Sequence, residues 1–82
     1  MRVRVEFTTE PFRGEGDLPP HVTAAAEPLA QAGLAPDLGP LGTYVEGEAD
    51  AVVPVISAVV GAALREGATR VTLQVERVDD AG

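Results

Sequence analysis

Gly39-Pro40-Leu41-Gly42-Thr43-Tyr44-Val45-Glu46-Gly47-Glu48 lies at the middle of the chain and joins two halves that resemble each other. Gly39, Pro40 and Gly42 are turn residues. Thr43, Tyr44 and Val45 form a β-branched and aromatic run that suits a strand. Gly47 then stands between two carboxylates, and a glycine inside a strand marks either a bulge or the close approach of a ligand or another backbone. The segment therefore reads as a hairpin turn, a strand and the entry to a helix.

Outward from this centre, each half repeats a strand and a helix. Toward the N-terminus, residues 2–8 alternate strictly, with Val3, Val5 and Phe7 on one face and Arg2, Arg4, Glu6 and Thr8 on the other. Residues 9–17 carry Pro11, Gly14 and Gly16 and read as a loop whose carboxylates, Glu15 and Asp17, are solvated. Pro20 marks a helix start, Val22, Ala25, Ala26 and Leu29 follow at helical spacing, and Gly33 is a stop. Pro28 interrupts that helix. Residues 35–38 take the place of a second strand by their position alone. Toward the C-terminus, Asp50 is a capping residue for a helix over 51–64, and Gly67 ends it. That apolar run, about 14 residues long, is too short for the roughly 20 needed to cross a bilayer. Residues 70–78 alternate again, with Val71, Leu73 and Val75 inward and Thr72, Gln74 and Glu76 outward.

The order strand, helix, strand, strand, helix, strand predicts an α+β fold: a ferredoxin-like βαββαβ sandwich, with a four-stranded antiparallel sheet and two helices on one face. The chain of 82 residues forms one domain, 1–82. A core that small is thin, so self-association is an expected source of stability. Net charge is −7, and all six basic residues are arginine. Such a surface disfavours nucleic acid and anionic membranes and suits cations or neutral ligands. The absence of cysteine excludes disulfides and thiolate chemistry. The chain opens directly on an alternating strand rather than a signal peptide, so a cytoplasmic location is expected, without membrane insertion.

No catalytic constellation is visible. His21 is the single histidine, has no nucleophile or base partner by spacing, and is expected at an exposed helix start. Glu46 and Glu48 share a strand face and serve either as solvated edge carboxylates or as ligand contacts. No metal site is expected, because no histidine–carboxylate cluster accompanies them. The expectation is a protein that is not an enzyme and carries no cofactor.

The central run, together with Gly67-Ala68-Thr69-Arg70-Val71, resembles the signature of the small thiamine-binding proteins of the YkoF-like family. That signature reads Gly-Pro-Met-Gly-Thr-x-Ile/Val-Glu-Gly-Glu, followed by a helix and Gly-x-x-Arg-Val. The opening strand, Pro11 and the helix end at Ala32-Gly33-Leu34 are also similar, so the likeness spans essentially the whole chain. Leu41 replaces the usual methionine, the aromatic residue usual after Gly33-Leu34 is missing, and Pro28 and Pro54 interrupt the helices. The resemblance implies a dimer or tetramer of stacked sheets that binds thiamine, or its hydroxymethylpyrimidine part, without turnover, as an aid to uptake or salvage. It places Thr43 and Glu46 at the ligand, with Tyr44, Glu6 and Thr8 as further contacts. The alternative is a ferredoxin-like oligomeric interaction or regulatory module that lacks this ligand.

Overall fold

The computed structural model describes residues 1–11, 18–39 and 42–78; the expectations for Glu15, Asp17 and the tail from Asp79 fall outside them. The elements are β1 (Arg2–Glu10), α1 (Pro20–Gln31), β2 (Asp37–Leu38), β3 (Thr43–Glu48), α2 (Ala49–Val52), a 3-10 turn (Val53–Val55), α3 (Ile56–Arg65) and β4 (Arg70–Arg77). The sheet is antiparallel throughout, in the order β2-β3-β1-β4, with the helices on one face. This is the α+β ferredoxin-like arrangement that the element order implies.

β1 is the hinge of the packing. It pairs with β3 from Arg2↔Glu48 to Phe7↔Thr43, and with β4 from Val3↔Arg77 to Glu10↔Arg70. Its pleat sends Val3, Val5, Phe7 and Thr9 inward and Arg4, Glu6, Thr8 and Glu10 to the open face. On the inner face Ala25 and Leu29 of α1 meet Val45, Val52, Val59 and Ala63. Most of these side chains are small. Among the described residues Phe7 is the one aromatic in the core cluster, and the helix layer rides close to the sheet.

Both long helices end in the same way. Gly33 (φ 83°) and Gly67 (φ 105°) take the left-handed conformation that side chains resist. Leu34 N–H donates to Leu29 O and Gly33 N–H to Ala30 O, each at 3.0 Å; Ala68 N–H to Ala63 O (3.0 Å) and Gly67 N–H to Leu64 O (3.3 Å) repeat the pattern. These are Schellman motifs, which satisfy the last carbonyls and turn the chain sharply.

Several details differ from the sequence reading. β1 runs on through Thr9 and Glu10, which pair with β4 instead of opening a loop, and α1 continues unbroken through Pro28, whose missing N–H removes one backbone bond without ending the helix. The second helix is not continuous over 51–64. Pro54 has no N–H to give the Asp50 carbonyl, so the chain tightens into the 3-10 turn before α3 resumes. Asp50 is not the cap: α2 starts at Ala49, Glu48 holds the cap position, and Ala49 N–H donates to Met1 O at 2.8 Å. The second strand shrinks to Asp37–Leu38, because Pro36 offers no donor to β3 and Gly39 turns back to Gly42 O at 2.8 Å. Val75 shares the inner face with Val5 but is 47% exposed, since the helix layer does not reach that far over the edge strand.

Gly47 is neither a bulge nor a gap for a ligand. The β1–β3 register runs unbroken through Val3↔Gly47. A Cβ there would stand 3.0 Å from Leu34 Cδ2 and 3.1 Å from Val52 Cγ2. The missing side chain is the space into which Leu34, just past α1, and Val52, at the end of α2, close. Gly47→Ala is expected to lower stability by about 1–3 kcal/mol, the scale of overpacking a core. Thermal or urea unfolding checks this; an unchanged midpoint would show that Leu34 and Val52 yield freely.

Candidate functional site

The open face of the sheet carries the polar half of every strand. In register across it, Arg4 stands between Glu46 and Glu76, Glu6 between Tyr44 and Gln74, and Thr8 beside Thr72. The strand pleat alone brings these side chains together, since antiparallel partners on one face lie within contact distance.

Where β1 leaves the β2–β3 turn, the face sinks into a depression of about 470 Å³. That lies within the roughly 300–1,000 Å³ range of small-molecule sites. Its floor and walls include Glu6, Thr8, Thr43 and Tyr44, joined by Arg4, Gln74 and Thr72. Gly42 lines it because a Cβ at that position would meet Thr8 Cγ2 at 3.1 Å and the Phe7 carbonyl oxygen at 3.3 Å. A second hollow, of about 500 Å³ between α1 and β2, offers Thr23, Glu27 and Gln31 along an otherwise apolar flank and has no ring to stack on.

Of the five residues the sequence picks out, Glu6, Thr8, Thr43 and Tyr44 line the depression. Glu46 does not. It lies on the open face beyond Tyr44, where Arg2 Nε donates to its Oε1 at 3.3 Å, and Arg2 also reaches Glu48 at 3.9 Å. Thr43 is buried and points toward the helices, so it meets the depression only at the strand end, while Glu46 points the other way.

Arg4 is the residue that sequence reasoning overlooks. Its guanidinium lies 4.9 Å from the centre of the Tyr44 ring, and its Nη2 is 3.2 Å from Glu6 Oε1. Its Nε is buried with no hydrogen-bond partner among the described residues. The alternation of Arg4 with Glu6 is plain in the sequence, but its placement over Tyr44 depends on the β1–β3 register. Asp37 is the other missed contributor: opposite Tyr44 in register, it accepts a hydrogen bond from the phenol.

That contact raises the Tyr44 phenol above its ordinary value. The hydrogen bond to Asp37 is the largest cause, followed by the Asp37 charge, with Arg4 pulling in the opposite direction. Ionisation would break the bond and set two anions side by side.

His21 is not at an exposed helix start. It is 4% exposed on the inner side of the sheet, and the first turn of α1 aims it at β1. The Pro11 carbonyl oxygen can only accept, so His21 Nε2–H donates to it at 3.1 Å and Nδ1 accepts from Thr9 Oγ1–H at 2.7 Å. Both ring nitrogens are therefore occupied in tying α1 to the end of β1, on the opposite side of the sheet from the depression. Among the described residues no group of three or more metal-ligating side chains comes together, and no helix is long and apolar enough to cross a membrane.

A family model described as thiamine-binding protein matches residues 5–81. The chain belongs to the thiamine-binding protein family. No curated protein matches it. Among solved structures, a domain of unknown function from Bacillus cereus is 27% identical, with a TM-score of 0.63 over 92% of this chain and 72% of that one. A candidate thiamine biosynthesis/salvage protein from Thermotoga maritima is 24% identical, with a TM-score of 0.66 over 95% of this chain and 85% of the other. A Streptococcus pneumoniae protein superposes at a TM-score of 0.70 with 20% identity, over 99% of this chain and 90% of that one. The last two likenesses speak for the fold alone. The family places a thiamine-related role on this chain.

The sequence holds one tyrosine and no tryptophan, so tyrosinate absorbance reports Tyr44 alone. Its titration midpoint is expected above the ordinary value of about 10. Asp37→Asn removes the charge and weakens the acceptor, so the midpoint should fall back toward that value. An Asp37→Asn midpoint no lower than wild type would show that the carboxylate is not the cause.

Proposed function

We propose that the open-face depression binds thiamine, or its hydroxymethylpyrimidine part, without turning it over, in support of uptake or salvage. The observation that carries this reading is the convergence of an aromatic ring, a carboxylate and threonine hydroxyls in one hollow of a thiamine-binding family member. Thiamine pairs a flat cationic ring with an aminopyrimidine edge. Tyr44 offers a face for the first, Glu6 a counter-charge, and Thr8 and Thr72 on the open face hydroxyls that can donate or accept at the second. Glu46 acts from the rim, adding negative potential across from Arg4. Among the described residues of the hollow none forms a nucleophile–base arrangement, and the reading taken is binding rather than catalysis.

The hollow is open, and a single sheet face covers one side of a flat ligand only. A second copy laid across the open face would close it. We therefore propose that the protein works as a homo-oligomer, a dimer or a tetramer. Light scattering at micromolar concentration should give a multiple of the 8.5 kDa chain; a clean monomer mass would end that proposal.

Calorimetric titration tests the ligand. Glu6→Gln keeps the side chain's shape and removes its charge, and should weaken thiamine binding by about 1–3 kcal/mol, the scale of a charge-assisted contact. Glu46→Gln, at an exposed rim, should cost under about 1 kcal/mol. Wild-type protein that binds neither thiamine nor the free pyrimidine would overturn the reading and leave the interaction or regulatory module in its place.

A further inference from the structure

We propose that Arg4 decides which ligands the depression accepts, because its guanidinium occupies the place that a planar cation takes and must be displaced on binding. This rests on the reading of the depression as the ligand site. The guanidinium is itself a flat cation. It is stacked 4.9 Å from the Tyr44 ring centre and held by Glu6 at 3.2 Å. An aromatic cation of similar shape seeks the same two partners, the electron-rich ring face and the carboxylate. Two such cations cannot share one ring face and one carboxylate oxygen.

The stacked position is one from which Arg4 can leave. Its Nε is buried without a hydrogen-bond partner, so that position forfeits a donor that water would satisfy. The side chain as a whole is 39% exposed, so it already borders solvent. In register, Arg4 stands directly opposite Glu46 on β3 and Glu76 on β4. A displaced guanidinium therefore moves toward carboxylates on either flank rather than into an uncompensated site. Charge in the hollow is conserved by the exchange: one cation leaves Glu6 and another arrives. A neutral ring gains the stacking surface but no carboxylate and has less with which to compete. The gate therefore selects flat cations over neutral rings of the same size.

The experiment compares wild type with Arg4→Met, which keeps an apolar stem and removes the competing charge, and with Arg4→Gln as a second variant should the first fold poorly. The probes are thiamine and N-methylpyridinium, a flat aromatic cation with none of thiamine's other groups. Binding is followed by calorimetry and by the fluorescence of the single tyrosine. Both cations should bind the variants roughly three- to tenfold more tightly than wild type, the range set by losing an exposed cation–π contact and its ion pair. Thiamine bound equally or more weakly by the variants overturns the gate and leaves thiamine binding standing. N-methylpyridinium gained by the variants, with thiamine bound by no form, supports the gate and overturns the thiamine reading. No binding of either probe to any form overturns both.

Discussion

β1 is hydrogen-bonded along both edges, and its two-residue period cannot slip. A shift by one residue would bring Arg4 and Glu6 under the helices and put Val5 and Phe7 in water. That single constraint builds both sides of the molecule at once. Inward, it stacks Val3, Val5 and Phe7 beneath Leu29 and Val59. Outward, it spaces Arg4, Glu6 and Thr8 along the centre of the open face. The open-face hollow is the reverse side of the core, set by the same pleat.

The smallness of the core residues matters as much as their pattern. Valine and alanine dominate, so the helices come down onto the sheet until Leu34 and Val52 meet over Gly47. The Schellman turn at Gly33 delivers Leu34 to that point, and the 3-10 turn at Pro54 lies just beyond Val52. His21 fixes the opposite end of α1 through Thr9 and Pro11. The first helix is thus pinned at both ends by specific contacts, in addition to the apolar face that Ala25 and Leu29 bury in the core.

Much of this was legible in the residues. Strict alternation marked β1 and β4, glycines marked both helix ends, and the order of elements marked the fold. Four of the five residues picked from the central run and the first strand line the hollow. What could not be read depended on contacts between distant segments. The position of Arg4 over Tyr44 needs the β1–β3 register, and the tie from Asp37 to Tyr44 needs the two-residue β2. The burial of His21 needs the packing of α1 against β1; a polar residue at a helix start looks the same in sequence whether it meets water or a threonine. Thr43 and Glu46 alternate to opposite faces in sequence and in structure alike, and Gly47 does not bend the strand to reconcile them.

β4 lies at the border of the sheet, with one side of its backbone facing no other strand among the described residues. The amides and carbonyls that alternate residues of β4 turn outward form a template that an extended peptide can read. This template has a phase and a direction. Its valines and leucine repeat on one face, and Arg70 and Glu76 stand near opposite ends of the other. An antiparallel strand of like sequence, centred on Leu73, would set arginine against glutamate and valine against valine. Shifted by one residue, it would turn its apolar face away from the helices. A strand paired along this border would thereby be held to one register and one direction.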